Sequence, residues 1–175
     1  MIKTSLYFSI LVTAGLLNLR IQSSLADQPV QKLQVRFYCG QSFDISSNKI
    51  LPTTFAATSA RTEPVALIRW NSHLSSYKPQ TRCDLVSQKF QTAWSGGKLH
   101  FISAGISQKT GQGIICGTAN KTQKCDESQM LFTLKNSKDA GDIVTKIGQI
   151  QRGADSSPIT QSSSNEYIDL EELLK

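Results

Sequence analysis

The sequence predicts an α+β fold, in which two α-helices pack on an antiparallel β-sheet and two disulfides hold the chain together. The strand-like segments come in two groups of three, and one helical segment follows each group. An apolar fraction of 39% in 175 residues suits a single domain with one modest core. Four cysteines, an even number, allow two disulfides. Because strands and helices do not alternate one by one, an antiparallel sheet is favoured over a parallel doubly wound one.

The first group of strands lies before a polar loop. Residues 32–39 alternate apolar and polar side chains, which places the apolar ones on one face of a strand. The β-prone segment 52–57 opens with Pro52, as an edge strand or a strand start allows. Residues 65–70 form a short apolar run typical of a buried strand, and residues 71–78 are the polar loop.

A helix is predicted from Pro79 to a stop at Ser95-Gly96-Gly97. Proline fits the first turn of a helix, because the N–H groups of that turn have no hydrogen-bond partner within the helix and proline therefore loses no bond there. The apolar positions fall on one face at helical spacing: Cys83, Val86, Phe90 and Ala93. The two glycines end the helix.

The second group of strands covers residues 98–104, 113–118 and 130–134. Glycines are expected to supply the turns between them, at Gly105 and at 111–113.

A second helix follows Ser137, which can cap it. Asp139 and Asp142 are placed to favour its positive end. Its apolar stripe consists of Ala140, Ile143, Val144, Ile147 and Ile150. Gly153 is expected to terminate the helix.

Residues 1–26 have the pattern of a cleaved signal peptide. A basic start precedes a mostly apolar stretch, and small residues stand at the −3 and −1 positions before Asp27. An uncleaved anchor is the alternative, but the stretch falls short of the ~20 apolar residues that span a bilayer. We therefore expect export of residues 27–175.

Charge divides the exported chain into a basic body and an acidic end. Residues 27–152 hold sixteen Lys and Arg against eight Asp and Glu, and we assign them to the α+β domain. Residues 153–165 have the composition of a linker. Residues 166–175 form an acidic segment with a small apolar set, which we expect to dock on the body; a free interaction tail is the alternative.

Cysteine placement favours disulfides over zinc. In an exported protein, Cys39, Cys83, Cys116 and Cys125 predict two bridges. Zinc would need closely paired ligands, but the gaps are 43, 32 and 8 residues, with no adjacent histidine. Three connectivities are possible. Cys116 and Cys125 flank a short segment between two strands, so we favour that pair, which leaves Cys39 to bond Cys83.

A set of ordered motifs resembles the cyanobacterial circadian oscillating protein domain family. Residues 82–91 read Arg-Cys-x-x-Val-Ser-x-x-Phe-Gln, and this helix motif, the four cysteines and the motif order together carry the resemblance. The other motifs are Phe37-x-Cys39, Pro52-Thr53-Thr54, Val65-x-x-Ile68-Arg69-Trp70, Leu99-x-x-Ile102-x-x-Gly105, Ile115-Cys116 and Leu131-Phe132-Thr133-Leu134. The chain departs from the family at 75–79, which reads Ser-Ser-Tyr-Lys-Pro where a Gly-x-Pro type turn is expected.

The resemblance covers about residues 35–150. It implies a cyanobacterial source, an exported or membrane-peripheral location and an abundance tied to the daily cycle. It implies no reaction, because the family has no assigned biochemical activity.

No catalytic, cofactor or metal site is predicted from the sequence. There is no Gly-x-Ser-x-Gly elbow, and pairing of all four cysteines leaves no thiol nucleophile. The short glycine segments lack the spacing of nucleotide-binding loops. The adjacent Asp126 and Glu127 would face opposite ways on a strand. The alternative is a small exported hydrolase with a site around His73 or His100, although a lone histidine is more often structural.

Basicity is the remaining functional clue. The possible contacts with an anionic surface are spread along the body: Arg61, Arg69, Lys78, Lys89, Lys98, Lys121 and Lys124. Export removes most nucleic-acid partners, which leaves anionic lipid headgroups or an acidic protein surface. Scattered surface lysines without any partner are the alternative. We therefore expect a non-enzymatic binding or accessory protein of the periplasm or thylakoid lumen, with peripheral membrane association as one form of it.

Two aromatic residues and one arginine have structural roles in this interpretation. Trp70 and Trp94 each end an apolar element, so packing is favoured over anchoring at a membrane interface. Arg82 is expected to cap or brace the start of the first helix, and contact with a partner is the alternative.

Overall fold

The computed structural model describes residues 33–150 and 167–175, which form seven β-strands, three α-helices and one short 3₁₀ helix (Glu127–Gln129). The strand pairs are antiparallel, and they form one sheet of three strands and one of four. The predicted α+β class, with antiparallel strands, packed helices and two disulfides, is confirmed. The predicted signal peptide at 1–26, the linker at 153–165 and the helix stop at Gly153 lie outside the described residues.

The first sheet is a long hairpin with one added strand. β1 (Val35–Asp44) pairs with β2 (Lys49–Thr58) over ten residue pairs. β3 (Val65–Arg69) pairs with the other side of β2, so β2 is the central strand.

Asp44 closes the hairpin turn. One of its carboxylate oxygens accepts hydrogen bonds from the Ser47 hydroxyl at 2.6 Å, the Ser46 hydroxyl at 2.7 Å and the Ser47 amide at 2.9 Å. These bonds favour the charged carboxylate and hold its pKa below the ordinary value. Asn48 completes the turn with a φ of 52°, a left-handed conformation that asparagine adopts more readily than most residues. The turn lies between the predicted strands, so the hairpin is longer than alternation alone indicates.

Pro52 lies within β2, so the expectation that it opens a strand or marks an edge strand is wrong. The strand begins three residues earlier, at Lys49. Proline is tolerated because it lies beyond the last residue pair of β3. The Pro52 carbonyl accepts a hydrogen bond from the Trp70 amide at 2.9 Å. The second bond of such a pair would run from an N–H at position 52 to the Trp70 carbonyl, and proline has no N–H to donate.

α1 (Pro79–Ser95) has the predicted bounds and packs on the first sheet. Its buried residues are Cys83, Val86, Ser87 and Phe90. The Phe90 ring lies 5.3 Å from the Phe37 ring of β1, whereas Cys83, nearer the start of the helix, bonds to Cys39, further along β1. α1 therefore runs antiparallel to β1 and begins at the end of the sheet where the hairpin turns.

The second sheet has the strand order β6-β5-β4-β7. Its strands are β4 (Phe101–Ile106), β5 (Gly113–Thr118), β6 (Met130–Thr133) and β7 (Tyr167–Asp169). The sequence predicts one sheet, whereas no strand pair joins the two sheets in the described part of the chain. Side chains connect them instead: the Trp70 ring meets the Phe132 ring edge to face, with centroids 5.3 Å apart, and both sheets contribute to one core.

Gly105 is part of β4, so its predicted role as a turn residue is wrong. It pairs with Ile114 of β5. A Cβ at this position would lie 2.7 Å from the carbonyl oxygen of Cys125 and 2.9 Å from its Sγ. The glycine is needed because another segment of the chain lies directly on it.

α2 (Asp139–Ile150) begins two residues after Ser137. Three residues of its predicted apolar stripe are buried and one is half-buried: Ala140, Val144 and Ile147, with Ile143.

The C-terminal segment docks on the body, as the sequence analysis favours. β7 pairs with the edge of β4, and the following α3 (Leu170–Leu174) buries three leucines. The Leu170 amide donates a hydrogen bond to the His100 carbonyl at 2.9 Å, and the Thr58 hydroxyl of β2 donates one to the Leu174 carbonyl at 3.3 Å. The segment therefore closes the core next to both sheets.

Candidate functional site

The predicted disulfide pairing is confirmed. Cys39 bonds to Cys83, which ties β1 to α1, and Cys116 bonds to Cys125, which closes a loop beside β5. Two structural disulfides are consistent with an oxidising compartment. In the described ranges, no helix is both long and apolar enough to cross a bilayer.

The loop after β5 is further fixed by Glu127. Its carboxylate accepts a hydrogen bond from the Ser107 hydroxyl at 2.8 Å and one from the Lys109 amide at 3.1 Å. These bonds favour the charged form and lower the pKa of Glu127. Glu127 thus holds two connections of the second sheet together.

Arg82 braces the start of α1, as expected. Its guanidinium lies 4.6 Å from the centre of the Trp70 ring and donates a hydrogen bond to the Thr133 carbonyl at 3.0 Å. Burial lowers the pKa of Arg82. Trp70 is itself buried, and its indole N–H donates to the Thr54 hydroxyl at 3.0 Å, so it has the packing role that the sequence favours. Trp94 packs on Phe37 with ring centroids 6.0 Å apart.

The seven cations proposed as contacts with an anionic surface are all exposed, but the structure does not gather them into one patch. They lie in the β2–β3 connection, at the end of β3, before α1, on α1, after α1 and, twice, in the β5–β6 connection: Arg61, Arg69, Lys78, Lys89, Lys98, Lys121 and Lys124. Arg61 and Arg69 are at opposite ends of β3.

Among the described residues, none of these cations forms a salt bridge with a carboxylate, although the charge of Arg69, after the hydrogen bonds from the serines of the turn, contributes to lowering the pKa of Asp44. In the described part of the chain, no Lys or Arg lies within the 4.0 Å of an Asp or Glu oxygen that defines a salt bridge; the pair at that distance is His100 with Glu171. Two of the seven have other contacts. The Lys121 ammonium lies 5.0 Å from the centre of the Tyr167 ring and 5.4 Å from that of Phe101, and Arg69 donates to the Ser42 hydroxyl at 3.0 Å. The positive charge of these cations is therefore not neutralised by a salt bridge within the described residues.

Sequence reasoning missed the exposed apolar side chains beside the β1–β2 turn. Phe43 and Ile50 face each other across the hairpin and are 54% and 65% exposed, and Ile45 in the turn is 87% exposed. The apolar residues on both sides of Ser46-Ser47-Asn48 could have indicated a hairpin here. Their exposure could not be predicted, since it depends on where α1 begins.

We call this region the hairpin end. It is the end of the first sheet at which β1 turns into β2, β3 ends and α1 begins. Its exposed apolar and cationic residues are Phe43, Ile45, Lys49, Ile50, Arg69, Tyr77 and Lys78.

The two histidines lie in different surroundings. His73 is exposed in the loop before α1. His100 lies just before β4, with its Nδ1 atom 3.3 Å from a carboxylate oxygen of Glu171 and its ring beside Trp94. A histidine and a carboxylate are two of the three groups of a Ser-His-Asp site. In the described residues, no hydroxyl or thiol bonds to His100 to serve as the third.

An open depression of about 490 Å³ lies at the start of α2. It is lined by Gly111, Gln112, Lys135, Asn136, Ser137, Lys138 and Asp139. No group of three or more metal-ligating side chains occurs within residues 33–150 and 167–175. The depression has two exposed lysines and the half-buried Asp139, and its geometry points to no particular ligand.

Comparison with known families assigns the chain. A model of the circadian oscillating protein COP23 family matches residues 36–175, four-fifths of the sequence. The chain belongs to the circadian oscillating protein COP23 family. The match confirms the resemblance seen in the motifs and extends it over β7 and α3. No curated protein and no solved structure matches the chain.

Membership in the COP23 family names no reaction and no ligand. The Gly-x-Pro type turn expected from the resemblance is absent, but α1 still begins at Pro79. Ser75 of the preceding turn has a φ of 52°, a conformation that glycine adopts more easily.

Proposed function

We propose that the protein is an exported, non-enzymatic accessory protein that associates peripherally with an anionic membrane surface in the periplasm or thylakoid lumen. The observation that carries the proposal is the set of cations that form no salt bridge with a carboxylate among the described residues. Residues 33–150 hold fourteen Lys and Arg against seven Asp and Glu. Cations near an anionic lipid surface contribute ~1 kcal/mol each to binding.

Export is supported by two independent features. The signal-peptide pattern at 1–26 would direct the chain out of the cytosol. The disulfides Cys39–Cys83 and Cys116–Cys125 are of a kind that persists in oxidising compartments. An exported protein would contact the proposed membrane surface in such a compartment.

Vesicle flotation tests the membrane association. The exported protein, with the removal of residues 1–26 checked by mass, is mixed with vesicles of neutral lipid or of neutral lipid containing phosphatidylglycerol. We expect flotation with the anionic vesicles in 0.1 M salt, and at least about tenfold weaker binding in 1 M salt, because the screening length falls from ~10 Å to ~3 Å. Equal flotation with neutral vesicles, or none with anionic vesicles in 0.1 M salt, would overturn the proposal.

The absence of an enzymatic role has its own test. The hydrolase alternative places a site around His73 or His100, and the contact of His100 with Glu171 is the geometry that such a site would use. Hydrolysis of activated ester substrates is measured for the wild type and for His100→Ala and His73→Ala. Turnover that either substitution abolishes would contradict the non-enzymatic proposal.

A further inference from the structure

We propose that the hairpin end is the part of the molecule that enters the membrane interface, with Phe43, Ile45 and Ile50 reaching below the lipid headgroups. This inference rests on the proposed membrane association and adds which surface makes the contact. Of the six large apolar side chains that are exposed among the described residues, four are at the hairpin end: Phe43, Ile45, Ile50 and Tyr77.

The exposure of these side chains follows from how α1 covers the sheet. Val35, Phe37 and Cys39 of β1 point towards α1, and strand alternation places Phe43 on the same face. At the start of α1, Cys83 bonds to Cys39, and the Gln80 amide donates a hydrogen bond to the Cys39 Sγ at 3.3 Å. The face continues past the start of the helix, and Phe43 and Ile50 lie on that uncovered part.

The hairpin end is a preformed element. The β1–β2 register continues to the last pair, Asp44 with Lys49, and the carboxylate of Asp44 is bonded to both serines of the turn. An apolar tip on an ordered hairpin can enter an interface without the entropy loss of folding on contact.

Charge around the tip suits anionic headgroups. Lys49, Arg69 and Lys78 are exposed at this end, as expected of a segment that lies at a membrane surface. Two carboxylates accompany them. Asp44 accepts the bonds of the turn, and Asp84 accepts a hydrogen bond from Gln80 at 3.1 Å.

A lipid surface fits this end better than a second protein chain. Three side chains at the tip of a two-stranded ribbon offer far less than the ~800 Å² that each partner buries in a standard protein interface. A second copy would also bring a second net positive body towards the first. An interface only 5–10 Å deep can accept a narrow apolar tip.

Two matched variants test the inference by partitioning into anionic vesicles. The first, Phe43→Ser/Ile45→Ser/Ile50→Ser, removes the apolar tip. The control, Ile106→Ser, removes an exposed large apolar side chain on β4, in the other sheet. In 1 M salt, attraction between charges is screened. Under these conditions we expect the first variant to bind at least about tenfold more weakly than the wild type, and the control to bind within about twofold of the wild type.

A second measurement does not depend on the stability of the triple variant. Ile45→Trp and Ile106→Trp each add one tryptophan to an exposed position, the second in the other sheet. With vesicles of brominated lipid, the fluorescence added at position 45 should be quenched and that added at position 106 should not.

Each outcome has one meaning. Wild-type binding that the tip variant retains, with no quenching at position 45, overturns the inference and leaves the proposed membrane association in place. A wild type that binds no vesicles overturns both. A wild type that sediments as a dimer, with a monomeric tip variant that still binds vesicles, would assign the tip to self-association.

Discussion

Close contact between Gly105 and Cys125 places the disulfide loop directly against β4. The cysteine carbonyl, Cβ and Sγ all lie within 2.9 Å of the point that a side chain at position 105 would occupy. The carbonyl belongs to backbone that the bond to Cys116 and the neighbouring Glu127 help to fix. The room for a side chain at position 105 is therefore limited by the loop that contains Cys125 as much as by β4 itself.

Gly105→Ala should destabilise the protein by about 1–3 kcal/mol, because an added methyl group in a packed contact forces its neighbours apart. The free energy of unfolding in urea, with both disulfides intact, measures the effect. Gly141→Ala is the matched control. A Cβ there meets nothing within 4 Å, and its position within α2 favours alanine over glycine by about 0.5–1 kcal/mol. Equal free energies of unfolding for Gly105→Ala and the wild type would show that the loop containing Cys125 can move aside without destabilising the protein.

Single residues were predictable where local spacing determined their role. The helical spacing of Cys83, Val86 and Phe90 identified three buried residues, and the pairing of Cys83 with Cys39 followed from the elements that carry them. Gly105 was assigned wrongly because the segment that needs its small size lies twenty residues further along the chain. The composition identifies the cations, but not that they form no salt bridge among the described residues, because that depends on where the acidic residues lie in the fold.

Among the secondary-structure elements, α3 depends most clearly on the rest of the protein. A helix of five residues is too short to be stable alone in water. It is held because Leu170, Leu173 and Leu174 are at most 1% exposed. The Asp169 side chain also accepts a hydrogen bond from the Glu172 amide at 3.1 Å, which caps the first turn. The acidic segment is thus part of the core despite its charge.

Leu173→Ala should lower the free energy of unfolding by about 2–5 kcal/mol, as expected for removing a fully buried leucine. Glu172→Ala changes an exposed neighbour in the same helix and should stay within about 0.5 kcal/mol of the wild type. Urea unfolding followed by circular dichroism measures both. If the two variants are equally stable, the C-terminal segment does not unfold together with the body.

Elements with a strong pattern of their own were predicted well. α1 has a proline at its start and glycines after its end, and its bounds agree with the prediction. The outer half of the β1–β2 hairpin is not predicted by the alternation of residues 32–39, although the apolar residues on both sides of Ser46-Ser47-Asn48 could have indicated it. β7 was missed as a strand, because three residues acquire strand conformation only by pairing with β4. The division into two sheets could not be predicted from the sequence either. The pattern of apolar residues in a strand indicates which residues are buried, but it does not indicate which strands pair with one another.

At the scale of the whole molecule, the two disulfides act over very different lengths of chain. Cys39 and Cys83 are 44 residues apart and join a strand to a helix, whereas Cys116 of β5 and Cys125 of the β5–β6 connection are 9 residues apart. In each pair one cysteine is fully buried and the other half-buried, so the packing lost on replacement is similar. The difference between the bridges should therefore reflect the entropy of the unfolded chain.

Replacing Cys39 and Cys83 by alanine should cost about 4 kcal/mol of unfolding free energy, and replacing Cys116 and Cys125 about 2.5 kcal/mol, because the longer loop removes more conformations from the unfolded chain. Both double variants are compared with the wild type by urea unfolding under non-reducing conditions. The Cys39→Ala/Cys83→Ala variant also frees β1 from α1, whereas the other variant leaves the bonds of Glu127 to hold the loop. The opposite order of stabilities would mean that the short bridge acts through the folded state, by holding the loop over β4, and not through the length of chain that it closes.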